Sequence, residues 1–148
     1  DIDSTGNTSP TFLIWAVADP FSGMLQRSQI VKGWVENGEH NEKVYDVACS
    51  DGLMVDPVTN RCPDNGAKVD LKDCSTTAEV GDPEQKVFWN DPEFKDNQNA
   101  FYYVRVLENP SCRWSTWDAM RNGEKPRSDI DSTIQERAWS SPIWIKSN

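Results

Sequence analysis

The pattern of apolar and polar residues is clearest at residues 100–107, where β-branched and aromatic side chains follow one another without a Gly or a Pro. With the two-residue period of a strand, Tyr102, Val104 and Val106 fall on one face, and apolar residues also occupy most of the other. Because neither face is simply polar, we expect a central strand with both faces covered. A Tyr-x-Val-x-Val strand late in a series of strands is typical of the F strand of an immunoglobulin-like or fibronectin-like sandwich.

Shorter apolar runs predict further strands along the chain. They fall at residues 11–18, 27–36, 42–49, 69–71, 85–90 and 134–146. Asn37-Gly38 is the sequence of a tight hairpin, so the strands on either side of it should pair antiparallel. Gly33 indicates a bulge or a close backbone approach, and Pro142 requires an edge position or a bulge. The predicted fold class is therefore all-β, an antiparallel immunoglobulin-like or fibronectin-like β-sandwich.

One short helix is predicted near residues 115–122. Ser115 precedes Asp118 by three residues, which approximates a capping box, and a glycine stands at the stop position. Trp114 and Trp117 are three residues apart and so share one side of this helix. The plain interpretation is that both indoles pack on the end of the sandwich.

The cysteines predict two disulfides. Cys49, Cys62, Cys74 and Cys112 lack the paired C-x-x-C spacing of a zinc site, and an even number of cysteines suits an oxidising compartment. The sequence leaves the connectivity open. A preference for short closure favours Cys49 with Cys62 and Cys74 with Cys112, which would staple the long polar loop at residues 50–81.

Size and charge limit the organisation and the partners. The chain has 148 residues and a net charge of −9, so we expect one domain at residues 11–148 after a polar linker at residues 1–10. The negative charge opposes binding to nucleic acid, and no stretch is apolar enough to insert into a membrane. Because the chain opens on Asp1 without a basic and apolar leader, we expect that a leader has been removed and that the protein is periplasmic or extracellular.

Candidate catalytic and metal-binding chemistry is sparse. His40 is the single histidine, and it lies in the predicted turn between Glu39 and Glu42, where a solvated side chain is expected. The close pairs of aspartates do not complete a calcium loop, and the chain has no Gly-rich phosphate loop. We therefore predict no catalytic residue, no metal site and no cofactor.

Seven tryptophans are the most unusual feature of the composition. An exposed planar row of Trp34, Trp114, Trp117 and Trp144 would favour stacking on the sugar rings of a polysaccharide, as in a carbohydrate-binding module. A single apolar patch would favour packing against a partner domain. Core and domain-interface packing is the preferred interpretation.

Several segments carry a resemblance to a known family. They are residues 29–34, 42–48, 100–107, 113–119 and 135–144. These segments resemble the C-terminal part of a large uncharacterised bacterial family, domain of unknown function three-thousand-six-hundred-and-four. The resemblance extends over nearly the whole chain from Thr11 onward.

This resemblance implies a role as well as a fold. It implies an exported parent protein, several times longer, that begins with a region similar to PHP (polymerase and histidinol phosphatase) metal-dependent phosphoesterases. The Gly-Asp-Leu-His-x-His type motif of those enzymes is absent from this sequence. We therefore expect a non-catalytic C-terminal accessory domain that packs against the PHP-like region of the same chain. The interface candidates are Arg113, Trp114, Trp117 and Trp34.

Overall fold

The computed structural model describes residues 2–3 and 9–146, and strands dominate this part of the chain. The strands are β1 (Ile2–Asp3), β2 (Thr11–Val17), β3 (Leu25–Glu36), β4 (Glu39–Cys49), β5 (Val69–Asp70), β6 (Ser75–Thr76), β7 (Glu84–Asn90), β8 (Ala100–Glu108), β9 (Ser111–Cys112), β10 (Thr133–Ile134), β11 (Arg137–Trp139) and β12 (Ile143–Lys146). One helix, α1, runs from Trp114 to Arg121. The prediction of a mostly-β chain with one short helix is confirmed.

The larger sheet has the strand order β1-β12-β8-β3-β4, and β11 also pairs with β8. Strand β8 pairs antiparallel with β3 on one side and with β11 and β12 on the other, so it is the central strand that the apolar pattern predicted. Strand β1 pairs parallel with β12. Much of the predicted linker at residues 1–10 lies outside the described residues, but Ile2–Asp3 forms part of this sheet.

A two-stranded antiparallel sheet of β2 and β7 packs on one face of the larger sheet. The core lies between them and consists of Ile14, Ile30, Tyr45, Val47, Ala100, Tyr102 and Ile145, with Phe12, Trp34, Val87, Trp89, Phe94 and Val104 packed against it. These residues come from β2, β3, β4, β7, β8 and β12 and from the connection after β7. The alternation of side chains along each strand selects which of them reach the core.

The β3–β4 hairpin forms as predicted. Asn37 and Gly38 both have positive φ, 54° and 81°, the conformation that a two-residue turn between twisted strands requires. At Gly33 the structure shows a close approach rather than a bulge, because a Cβ atom there would lie 2.2 Å from the ring of Phe101. The bulge in β3 and β4 falls instead between Ser28 and Gln29.

Three local predictions were wrong. The face of β8 that carries Phe101 and Tyr103 is only half-buried, because no second layer of the described residues covers it. The last predicted strand is divided into β10, β11 and β12, and Pro142 lies in the break before β12. The capping box does not form, since α1 begins one residue earlier, at Trp114, with Arg113 as its N-cap and no side-chain cap.

Both preferred disulfides are present. Cys49 bonds Cys62, and Cys74 bonds Cys112. The Cys49–Cys62 bond holds the first part of the long loop against the end of β4. The Cys74–Cys112 bond joins the later part of the loop to β9, which comes just before α1. The prediction of a long loop stapled by disulfides is confirmed, and a short β5–β6 pair lies within it.

Candidate functional site

A buried ionic cluster lies at one end of the core. Lys32 Nζ is 2.5 Å from Asp91 Oδ2 and donates a further hydrogen bond to the backbone oxygen of Glu93 at 3.0 Å. The Tyr102 hydroxyl donates to the same Asp91 oxygen at 2.8 Å. Burial, with the hydrogen bond to Asp91, raises the pKa of Tyr102 well above its ordinary value, and burial, with the hydrogen bond to Glu93, does the same for Tyr45.

The two charges of this cluster are enclosed by the protein. The side chains of Lys32 and Asp91 are 2% and 0% exposed. Each charge meets an opposite charge and additional hydrogen bonds, which is the condition under which buried ions are tolerated. Asp46 forms a second buried cluster with the side chains of Arg27 and Gln29.

Within residues 2–3 and 9–146, no three His, Cys, Asp or Glu side chains come close enough together to hold a metal ion. His40 is exposed at the start of β4, near the solvent end of the hairpin.

The most unusual surface is the outward side of the two-stranded sheet. Leu13, Trp15 and Val17 of β2 and Phe88 of β7 point away from the core, and we call these four residues the outer apolar face. Trp15 is 62% exposed and Phe88 is 68% exposed. A solvated strand face normally carries polar residues, and here Lys86 and Glu84 contact Trp15, but four large apolar side chains are exposed beside them.

Beside this face runs a groove, which we call the edge groove, with a volume of about 520 Å³. Its walls are β2 on one side and β8 with β11 on the other, and its apolar lining includes Ile14, Leu25, Val104, Val106 and Ala138. Strand β2 pairs with β7 alone, so its second edge faces the groove. The two-stranded sheet is too narrow to cover the inward side of β8 and β11.

The predicted interface residues on and before α1 lie at the surface. Trp114 is 74% exposed and Trp117 is 36% exposed, with the Arg121 guanidinium 5.5 Å from the Trp117 ring centroid. Arg113 is half-buried, and its Nε donates to the backbone oxygen of Asp131 at 3.0 Å. Trp114 therefore does not pack into this domain as the plain interpretation of the sequence expected.

Trp34 and Trp144 lie in different surroundings. Trp34 is half-buried and packs against the core, 5.2 Å from Lys32 Nζ to its ring centroid. Trp144 is half-exposed and lies 5.0 Å from the ring of Phe101 on the outward side of the larger sheet, beside a cavity of about 520 Å³. The four tryptophans named from the sequence are thus divided among a core edge, a sheet face and a helix.

Reasoning from the sequence did not identify the outer apolar face as a candidate site. The signal was present, because residues 11–18 are apolar on both sides of the predicted strand and residues 85–90 carry adjacent apolar side chains. The same pattern also predicts a strand buried on both sides within its own domain. A strand covered by its own chain and a strand covered by a partner have the same local pattern.

Fold and surface together define a class: a mostly-β chain with two internal disulfides whose described residues include exposed apolar surfaces. The chain belongs to the family described as Protein of unknown function (DUF3604), whose model matches residues 1–147. No curated protein and no solved structure matches the chain. In the part of the chain that the structure describes, no helix is long and apolar enough to cross a membrane.

Proposed function

We propose that this chain is a non-catalytic accessory domain that packs against another region of a longer protein. The observation that carries the proposal is the outer apolar face, where Leu13, Trp15, Val17 and Phe88 are all more than half exposed. Buried aromatic side chains at the centre of an interface are the residues that most often dominate docking. The proposed partner is the PHP-like region of the parent protein, which the resemblance to the C-terminal part of the family implies.

The rest of the proposal concerns the type of domain and its compartment. Two sheets around one core, with a Tyr-x-Val-x-Val central strand, support an immunoglobulin-like sandwich. The two disulfides support an exported protein in the periplasm or outside the cell, because such bonds persist in oxidising compartments. Activity then belongs to the partner region, and this domain supplies attachment and support.

The test compares Phe88→Glu with the unchanged chain in binding to the separately produced PHP-like region. Phe88 lies opposite Leu13 in the outer apolar face, and a carboxylate there would be desolvated on docking. We expect the dissociation constant, measured by titration calorimetry, to rise about 30-fold, which corresponds to about 2 kcal/mol. The free energy of unfolding of the chain alone should change by less than about 1 kcal/mol, because the side chain is exposed.

Trp114→Glu is the matched control, because it introduces the same charge at another exposed aromatic residue. We expect it to leave binding unchanged if the outer apolar face is the interface. A loss of binding with Trp114→Glu but not with Phe88→Glu would place the interface at α1, where the sequence first suggested it. Equal binding by all three proteins would contradict both assignments.

A second candidate function is binding of a polysaccharide on the outward side of the larger sheet. The Phe101 ring packs closely against Gly33 and lies 5.0 Å from the Trp144 ring, and the adjacent cavity is also lined by His40 and Glu42. Aromatic rings that stack on the apolar face of a sugar, next to groups that bond its hydroxyls, are the chemistry this function needs.

The test is tryptophan fluorescence of the chain during titration with a panel of neutral oligosaccharides. We expect a saturable change that Trp144→Ala abolishes. Trp139→Ala is the control, because Trp139 is exposed on the neighbouring β11 but does not line this cavity. No change with any oligosaccharide, or equal loss in both variants, would contradict this second function.

A further inference from the structure

Strand β2 has one paired edge and one open edge. The backbone N–H of Ala18 donates to the backbone oxygen of Pro83, the residue directly before β7. Because hydrogen-bonded pairs alternate along an antiparallel ladder, the backbone groups of Phe12, Ile14 and Ala16 also face β7. The intervening residues of β2 direct their N–H and C=O groups the other way, towards the edge groove. These are Leu13, Trp15 and Val17, and their outward backbone groups meet no partner among the described residues.

The open edge lies beside an uncovered part of the larger sheet. Val104 and Val106 of β8 and Ala138 of β11 line the edge groove on the side of the sheet that elsewhere forms the core. The two-stranded sheet ends before it reaches them. The sandwich therefore lacks one strand at this position, and the missing strand would hydrogen-bond to β2 and cover these side chains at once.

We propose that the edge groove binds an extended polypeptide strand with an apolar residue at every second position, which adds to the open edge of β2. Three outward residues on β2 set the length at roughly five paired residues. Side chains of valine size suit the groove, because they face small and medium apolar residues on β8 and β11. This inference rests on the proposed function, since the strand would come from the partner region.

Charge favours a strand from a partner over a second copy of this chain. Two copies would bring net charges of −9 together, which opposes self-pairing of the β2 edges. Two carboxylates, Glu108 and Glu136, line the groove with one cation, Arg137, so a strand flanked by lysine or arginine fits better than an acidic one. An exposed strand edge is also the usual place where extended peptides bind.

The test uses the complete 148-residue chain and a synthetic peptide, Lys-Thr-Val-Thr-Val-Thr-Val-Lys. Amide hydrogen exchange is followed by NMR for the residues of β2. Without peptide we expect slow exchange at Ile14 and Ala16 and fast exchange at Leu13, Trp15 and Val17. At saturating peptide the exchange rates of the three fast amides should fall at least about tenfold. A peptide of the same composition with its valines in one block should leave these rates unchanged.

Val17→Pro tests the backbone contact, and Val17→Ala is its matched control for the lost side chain. Proline is tolerated on an edge strand where its missing N–H faces outward, so the fold should survive. We expect Val17→Pro to weaken peptide binding about tenfold relative to Val17→Ala, the effect of one lost main-chain hydrogen bond. Equal binding by the two variants would overturn the inference.

Two further outcomes would also overturn it. Slow exchange at the three amides without peptide, together with a dimer in sedimentation, would mean that a second copy occupies the edge. Failure of the peptide to bind, while Phe88→Glu still disrupts association with the PHP-like region, would leave the proposed function in place and remove strand addition.

If Phe88→Glu has no effect but the peptide protects the β2 edge, the groove binds a strand and the proposed docking face is wrong.

Discussion

Lys32 is a charged residue whose side chain is almost completely buried, and its partners explain why it is tolerated. Its ammonium contacts Asp91 and lies 5.2 Å from the ring centroid of Trp34 and 5.8 Å from that of Tyr102. Asp91 also accepts a hydrogen bond from the backbone N–H of Glu93 at 2.8 Å. The two charges therefore satisfy one another, and removing either leaves the other buried without its partner.

We expect Lys32→Met to lower the free energy of unfolding by about 3–5 kcal/mol, the cost of leaving one member of a buried ion pair alone. Urea denaturation of the purified chain measures this. In the double variant Lys32→Met/Asp91→Asn, part of the loss should return, because no charge remains buried.

Lys43→Met is the control on the surface. Lys43 pairs with the exposed carboxylate of Glu93, so the same substitution should cost about 1 kcal/mol or less. A loss from Lys32→Met as small as that from Lys43→Met would show that the buried pair contributes little.

At the scale of elements, the two disulfides hold different parts of the chain. Cys49 and Cys62 are 13 residues apart, and their bond places the Cys62 N–H 2.7 Å from the carboxylate of Asp46. Cys74 and Cys112 are 38 residues apart, and their bond joins the long loop to the strand directly before α1. The longer closure removes more entropy from the unfolded chain.

We expect replacement of Cys74 and Cys112 by alanine to cost about 4 kcal/mol, against about 3 kcal/mol for Cys49 and Cys62, from the chain-entropy dependence on loop length. Urea denaturation of each double variant measures the difference. Amide exchange should locate the first change in α1 and the second in the loop after β4. Faster exchange in α1 on loss of the Cys49–Cys62 bond alone would contradict this assignment.

The elements themselves were largely predictable. Alternating apolar residues identified β2, β3, β4, β7 and β8, and Asn37-Gly38 identified the hairpin, because these signals are local. The break at Pro142 was also visible as a requirement for an edge or a bulge. The start of α1 was misplaced by one residue, because the Ser115–Asp118 spacing resembled a cap that Arg113 takes without a side-chain bond.

At the scale of the whole molecule, the pairing of strands that are distant in sequence determines which apolar surfaces stay exposed, and local sequence patterns do not predict that pairing. Strand β2 pairs with β7, almost seventy residues later, and no short-range signal specifies that choice. This pairing limits the smaller sheet to two strands. The outer apolar face and the edge groove are both consequences of that narrow sheet. The sequence therefore predicts interface residues at Arg113, Trp114, Trp117 and Trp34, whereas the outer apolar face becomes visible only once β2 and β7 are paired.

The buried Lys32 has a further consequence for how the strands find their alignment. A slip of β3 by one residue against β4 and β8 would turn Lys32 outward and bring its neighbours, Val31 or Gly33, to the core. A slip by two residues would keep the ammonium inside but move it about 7 Å from Asp91, among aromatic rings that cannot neutralise it. Misaligned sheets thus contain an unpaired charge, which raises their free energy relative to the native alignment. The alignment in which Lys32 pairs with Asp91 is therefore favoured during folding.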